Sequence, residues 1–164
     1  MKINLLEIRR QTTDVNNYID GISKPFRGKF LERKKEYKLK ASVVGRLKNF
    51  AKNYMIVAFS AEWCKDCAVN IPVLALLSET TGLEVRVFGG LKRDPLNPKR
   101  KWSIPPSPPE VETFHVDKIP YILIFNSNSE GEKVGEIVEN PREGLTLDEE
   151  ILKIISKGHS FKNG

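Results

Sequence analysis

The chain has two cysteines, Cys64 and Cys67, three positions apart. Such a pair can cycle between dithiol and disulfide, or lend two thiolates to a metal. Upstream, Met55-Ile56-Val57-Ala58-Phe59 reads as a buried strand that breaks at Ser60-Ala61-Glu62. Trp63 follows, and a helical pattern begins at Cys64. The first N–H groups of a helix have no internal partner, and the dipole there favours negative charge. Cys64 is therefore expected to sit as a thiolate, in the range of roughly 3.5 to 7.5 known for such cysteines. Cys67, nearly one turn further in, can reach Cys64 but not solvent. Cys64 is then the exposed nucleophile and Cys67 the resolving thiol. Cys64 attacks a substrate disulfide to give a mixed disulfide, and Cys67 attacks Cys64 to release the reduced product.

A lone CxxC is compatible with other chemistry. A structural zinc site needs four ligands. Here there is no second CxxC, and the histidines, His115 and His159, are far apart, so no metal is expected. A chance pair of inert buried thiols stays open at this point. A peroxidase is not expected, because neither cysteine lies in a Thr-containing peroxidatic motif. No cofactor is implied.

The elements around the pair must hold it. The pattern from Cys64 to about Thr81 is apolar nearly all round, so a buried helix is expected, kinked at Pro72 and ended by Gly82. Leu83–Phe88 reads as a second strand, parallel to the first across a βαβ unit. Tyr121–Phe125 and Glu132–Val138 read as an antiparallel hairpin joined by a turn over 126–131. A final amphipathic helix runs from Thr146 to Lys157, with Thr146 and Glu149 forming a capping box and Gly158 closing it. Glu110–His115 forms one helical turn. The expected fold class is α/β, a central mixed sheet with a parallel βαβ unit and a C-terminal antiparallel ββα unit, flanked by helices.

The N-terminal third carries no recognisable chemistry. Thr13-Asp14 caps a short helix that stops at Gly21, Ser23-Lys24-Pro25 breaks the chain, and a second helix runs from about Phe30 to Lys52. Gly89–Pro109 holds six prolines and cannot be regular structure. That loop is either a partner-selecting element beside the active face or a surface excursion, and the excursion is the expectation. The domain reading is a helical extension over 1–50, one domain over 51–158 containing the loop 89–109, and a short tail over 159–164.

Composition limits the partners. With 40% hydrophobic and 29% charged residues the chain is ordinary for a soluble globular protein, and no apolar run suits a membrane span. The first residues lack a secretion signal, so a cytoplasmic location is expected. Net charge is +6, with eleven Lys or Arg between Lys24 and Lys52 against Glu32 and Glu36. With no recognised nucleic-acid motif and no interleaved aromatics, this reads as a solvated helix face, and nucleic acid is not an expected partner.

Phe59-Ser60-Ala61-Glu62-Trp63-Cys64-Lys65-Asp66-Cys67, with Pro72 five residues later, resembles the thioredoxin family. That family has a Trp before the first cysteine, a proline five residues after the second, and a cis Ile-Pro opposite the dithiol. Ile119-Pro120, at the start of the hairpin, matches the last of these. The resemblance covers about Tyr54 to Lys157, and residues 1–50 look like the helical N-terminal extensions of thioredoxin-like proteins. It implies a WCxxC active site with protein-disulfide reductase activity on disulfide-containing proteins, and an upstream electron donor of the thioredoxin reductase type. It also implies that Trp63 shapes the docking surface. Ile119 and Pro120 would offer backbone groups to an extended substrate, and Pro120 would keep metals off the thiols.

Three features depart from the family. Lys65-Asp66 replaces the usual Gly-Pro, with Lys65 expected to favour the thiolate and Asp66 to oppose it. Ala58 stands where many members have a buried acid that handles the proton of the resolving thiol. Glu62 and Asp66 are the candidates to replace it. The loop 89–109 is longer than usual. The alternative reading is a thioredoxin-fold adaptor or binding module whose dithiol senses redox state with little turnover.

Overall fold

The computed structural model describes residues 1–128 and 130–163, the last four by backbone alone. Ser129, in the expected 126–131 turn, and Gly164, in the expected tail, lie outside the described residues.

The N-terminal third holds α1 (Leu5–Gln11), β1 (Thr13–Asp14), α2 (Val15–Asp20), α3 (Lys24–Glu36) and α4 (Ala41–Leu47). Then come β2 (Tyr54–Phe59), α5 (Lys65–Thr81), β3 (Glu84–Phe88), α6 (Glu110–Thr113), β4 (Tyr121–Asn126), β5 (Glu132–Val138) and α7 (Leu147–Asn163). Among the described residues a five-stranded sheet has the order β1-β3-β2-β4-β5. β2 runs parallel to β3, from Met55 opposite Glu84 to Phe59 opposite Phe88. It runs antiparallel to β4, from Tyr54 opposite Asn126 to Phe59 opposite Tyr121. With a strand on each side and packing on both faces, every residue of β2 is buried. That is why its sequence is an unbroken apolar run rather than an alternating one.

α5 packs against α2, α3, α4, α7 and β3. Its nearly all-round apolar surface follows from having neighbours on so many sides. It runs unbroken through Pro72, whose missing N–H leaves the Ala68 carbonyl without its helical donor. An aromatic cluster also fills the core. Phe59 stacks on Phe88 with ring centroids 4.7 Å apart, and Phe114 lies against both.

The N-terminal third differs from its sequence reading. Thr13–Asp14 pairs antiparallel with β3, through Thr13 opposite Val87 and Asp14 opposite Arg86, and so extends the sheet. A strand of two residues is too short to show any alternation. Asp14 also caps α2, accepting from Asn16 N at 3.1 Å. Ser23-Lys24-Pro25 is a helix start rather than a break, because proline is compatible with a first turn. The long helix expected over 30–52 is two helices with an extended step at 37–40. There the buried carboxylate of Asp148 accepts from Tyr37 Oη at 2.7 Å and from Lys40 N at 3.2 Å. This contact spans more than a hundred residues, beyond the reach of any local pattern.

The capping box at Thr146 and Glu149 is present, with Thr146 N donating to Glu149 Oε1 at 2.9 Å. Gly158, however, does not close α7. The helix continues to Asn163, and Gly158 lets it pass Val134, whose Cβ lies 3.1 Å from where a side chain would begin.

Candidate active site

Cys64 occupies the N-cap of α5 in extended conformation, and its sulfur accepts from Cys67 N at 3.2 Å. Both cysteines are free thiols. A hydrogen bond from the Cys67 side chain is the main cause holding the Cys64 thiol below its ordinary range. Burial opposes this, backbone hydrogen bonds from Cys67 and Asp66 assist it, and the Asp66 charge opposes it. Cys67 is driven strongly upward, first by burial and then by its pairing with Cys64. Of the two thiols, Cys64 is thus the more acidic. This is the asymmetry needed for a nucleophile and a resolving thiol.

Cys67 is fully buried, and Cys64 is only 8% exposed rather than open to solvent. The neighbouring Trp63 is 48% exposed. The helix start and the Ile119 segment lie against the sulfur. The Ile119 carbonyl stands 3.7 Å from Cys64 Sγ and accepts from it, and the Ile119–Pro120 peptide is cis. The structure thus brings Cys64, Cys67, Trp63, Ile119 and Pro120 to one place. Lys65 is exposed on the outer side of the helix start, and Asp66 is half-buried beside Cys64. The Glu62 carboxylate is engaged by Ser23, accepting from its N at 3.1 Å and its Oγ at 2.8 Å.

Asn70 fixes the two halves of the site against each other. Its buried amide nitrogen donates to the carbonyls of Asp66 and Glu139 and to Asn140 Oδ1, each at 2.9 Å. Glu139 N in turn donates to the Pro120 carbonyl at 2.8 Å. One chain of hydrogen bonds therefore runs from the first turn of α5 to the cis-proline segment. The signal for Asn70 is a lone amide within the apolar stretch of α5 from 68 to 77.

The proline-rich loop is not a surface excursion. Trp102 is buried, stacks on Trp63 with centroids 6.1 Å apart, and donates from Nε1 to the Asp117 carbonyl at 2.8 Å. Trp63 Nε1 donates to the Leu91 carbonyl at 3.2 Å. A large aromatic side chain gains more from burial than a flexible polar loop can offer, so it draws the loop down onto the active face. Its signal was a single Trp amid prolines and lysines. Between Trp63, the loop and α2 lies an open cleft of about 450 Å³, lined by Tyr18, Ala61, Glu62, Trp63, Leu91 and Pro106. Tyr18 and Ser60, also missed from sequence, meet at its inner end with their hydroxyls 3.0 Å apart.

A family model described as Thioredoxin matches residues 12–150. This chain belongs to the thioredoxin family. The match takes in β1 and α2 to α4 as well as the region from Tyr54 to the first turn of α7. A thioredoxin of Chlamydia muridarum (strain MoPn / Nigg) is 30% identical over 109 residues, covering 66% of this chain and 86% of that one. A Pseudomonas aeruginosa protein of unknown function shares the fold at a TM-score of 0.70, with 14% identity over 97% of this chain and 99% of its own. An HIV epitope-scaffold does so at a TM-score of 0.64, with 16% identity over 96% and 90%. Membership gives this thioredoxin-family chain a thiol redox function in general terms. Among its described residues no helix is long and apolar enough to cross a membrane.

Proposed function

We infer that this protein is a thiol–disulfide oxidoreductase of the protein-disulfide reductase type, acting in the cytoplasm. The observation that carries the reading is the placement of Cys64 at the N-cap of α5, its sulfur 3.2 Å from Cys67 N and 3.7 Å from the Ile119 carbonyl, with the opposed shifts of the two thiols in support. Cys64 is the nucleophile. The mixed disulfide forms on Cys64 and is resolved by Cys67. The substrate lies as an extended strand against the backbone of Ile119 and Pro120, with Trp63 and the loop 89–109 forming one wall. Electrons arrive from a thioredoxin reductase-type donor. Residues 1–50 serve as an extension that braces α5, and Lys65 and Asp66 tune the dithiol. The test is insulin reduction. The reduced protein is expected to precipitate insulin chains, and Cys64→Ser to abolish this. Retained activity in Cys64→Ser overturns the assignment of the nucleophile.

The low exposure of Cys64 favours one second reading, a redox-sensing adaptor with little turnover. A Cys67→Ser trap separates the two. Clients held by a reducible bond support the reductase, whereas partners retained after both cysteines become serine support the adaptor.

A further inference from the structure

The buried acid that many members of the family carry is absent here. Ala58 is fully buried in its place, and Glu62 is engaged by Ser23. Yet Cys67 has no exposed surface and must become a thiolate to attack the mixed disulfide. A buried thiolate without a hydrogen-bond donor is strongly disfavoured.

The structure supplies hydroxyls at this point. Ser60 follows β2 directly and is fully buried, its N donating to the Phe88 carbonyl at 3.0 Å. Its hydroxyl lies 3.0 Å from Tyr18 Oη, and with the Ala61 backbone it acts to lower the thiol pKa of Cys67 against the upward push of burial. Tyr18 comes from α2 and reaches Ser60 across Gly89. A Cβ on Gly89 would lie 2.6 Å from the Tyr18 ring, so the tyrosine can occupy this place only because residue 89 has no side chain. Phe30 holds the ring from another side, edge-on with centroids 6.4 Å apart. The groups acting on Tyr18 are Ser60, Glu62, Cys64 and Cys67, and burial keeps the phenol protonated as a donor.

We propose that Ser60 and Tyr18 form a hydroxyl chain, Tyr18 donating to Ser60 and Ser60 to Cys67, that stabilises the Cys67 thiolate in the resolving step. This rests on the reading of Cys67 as the resolving thiol. In the step, a Cys67 sulfur lone pair forms the Cys64–Cys67 bond. The bond from Cys64 to the substrate sulfur breaks, its electron pair leaves on the substrate sulfur, and that sulfur takes up the proton given up by Cys67. Once Cys64 is bound to substrate its negative charge no longer opposes ionisation of Cys67, and burial is the remaining barrier. Ser60 acts in the resolving step alone, as the donor to Cys67, and Tyr18 is a positioning residue.

The test uses the reduced full chain and dithiobis-nitrobenzoate in stopped flow. The first burst of aromatic thiolate reads attack by Cys64, and the second reads resolution by Cys67. Ser60→Ala is expected to leave the first burst unchanged and to slow the second about tenfold, the effect of one charge-assisted hydrogen bond. The pH midpoint of the second burst should move upward. Tyr18→Phe keeps the ring and should act in the same direction with smaller size. Second bursts and midpoints equal to wild type in both variants overturn the proposal. If Ser60→Ala loses the first burst as well, its fold is damaged and Tyr18→Phe decides alone. A wild type that shows both bursts but does not reduce insulin refutes the reductase reading while leaving the hydroxyl chain standing.

Discussion

Trp102 lies stacked against Trp63, with centroids 6.1 Å apart and ring planes 28° from parallel. One ring belongs to the dithiol motif and the other to the proline-rich loop. The stack makes the loop part of the active face. Trp102→Ala should therefore release the loop and lower stability by about 3 kcal/mol, as for other buried aromatic truncations. It should also raise the KM for insulin more than it lowers kcat. Urea unfolding and insulin turnover check this. Unchanged values of both would mean that the stack holds nothing in place.

The displaced thiols predict a pH dependence of stability for the reduced protein. The Cys64 pKa is depressed on folding, so its contribution is fully present above the unfolded value of about 8.5 and is lost as pH falls through the folded value. Cys67 is raised, so its contribution is present below about 8.5 and is lost as pH rises past it. Stability should climb with pH up to about 8.5 and fall above it. Urea midpoints under a phosphine reductant should show both limbs. Cys64→Ala should flatten the rising limb, and a rising limb that survives unaltered contradicts the assignment of the thiolate.

Asn70 ties the first turn of α5 to the Pro120 segment through Glu139. Asn70→Ala leaves two carbonyls and one amide oxygen without this donor, and should destabilise by about 2 kcal/mol. It should also shift the dithiol potential, because the Ile119 carbonyl is no longer held over Cys64. The wild-type potential, measured against glutathione, is itself informative, since about −270 mV suits a reductase and about −120 mV an oxidant. An Asn70→Ala protein with wild-type potential and stability would show the link to be idle.

Asp148 anchors the step between α3 and α4. Tyr37→Phe removes one donor and should lower stability by about 1 kcal/mol. Asp148→Ala strands both the Tyr37 hydroxyl and the Lys40 amide, and should lower it by about 3 kcal/mol. Hydrogen exchange in α3 should rise along with the loss. Equal protection in wild type and Asp148→Ala would mean that α3 is held by its packing on α5 and α2 without this anchor.

The central elements were legible because their signals are local. Met55–Phe59 is an apolar run because both faces of β2 are covered. The Thr146–Glu149 box lies within one turn, so four residues suffice to reveal it. The place of the two thiols at the start of α5 follows from where the helical pattern begins. β1 and the step at 37–40 were not legible, because each is defined by a partner far along the chain, Val87 for Thr13 and Asp148 for Tyr37.

The sequence by itself determined the dithiol, its strand and its helix, since each depends on residue types at short spacing, while the Ile119–Pro120 segment was expected opposite the dithiol through the family resemblance alone. Only the tertiary structure decided what surrounds the sulfurs. Trp102 returns to Trp63 from a loop with no pattern of its own. Tyr18 crosses Gly89 to reach Ser60. Both are contacts between segments whose separation along the chain carries no periodic signal, and burial of aromatic surface, not local propensity, brings them together.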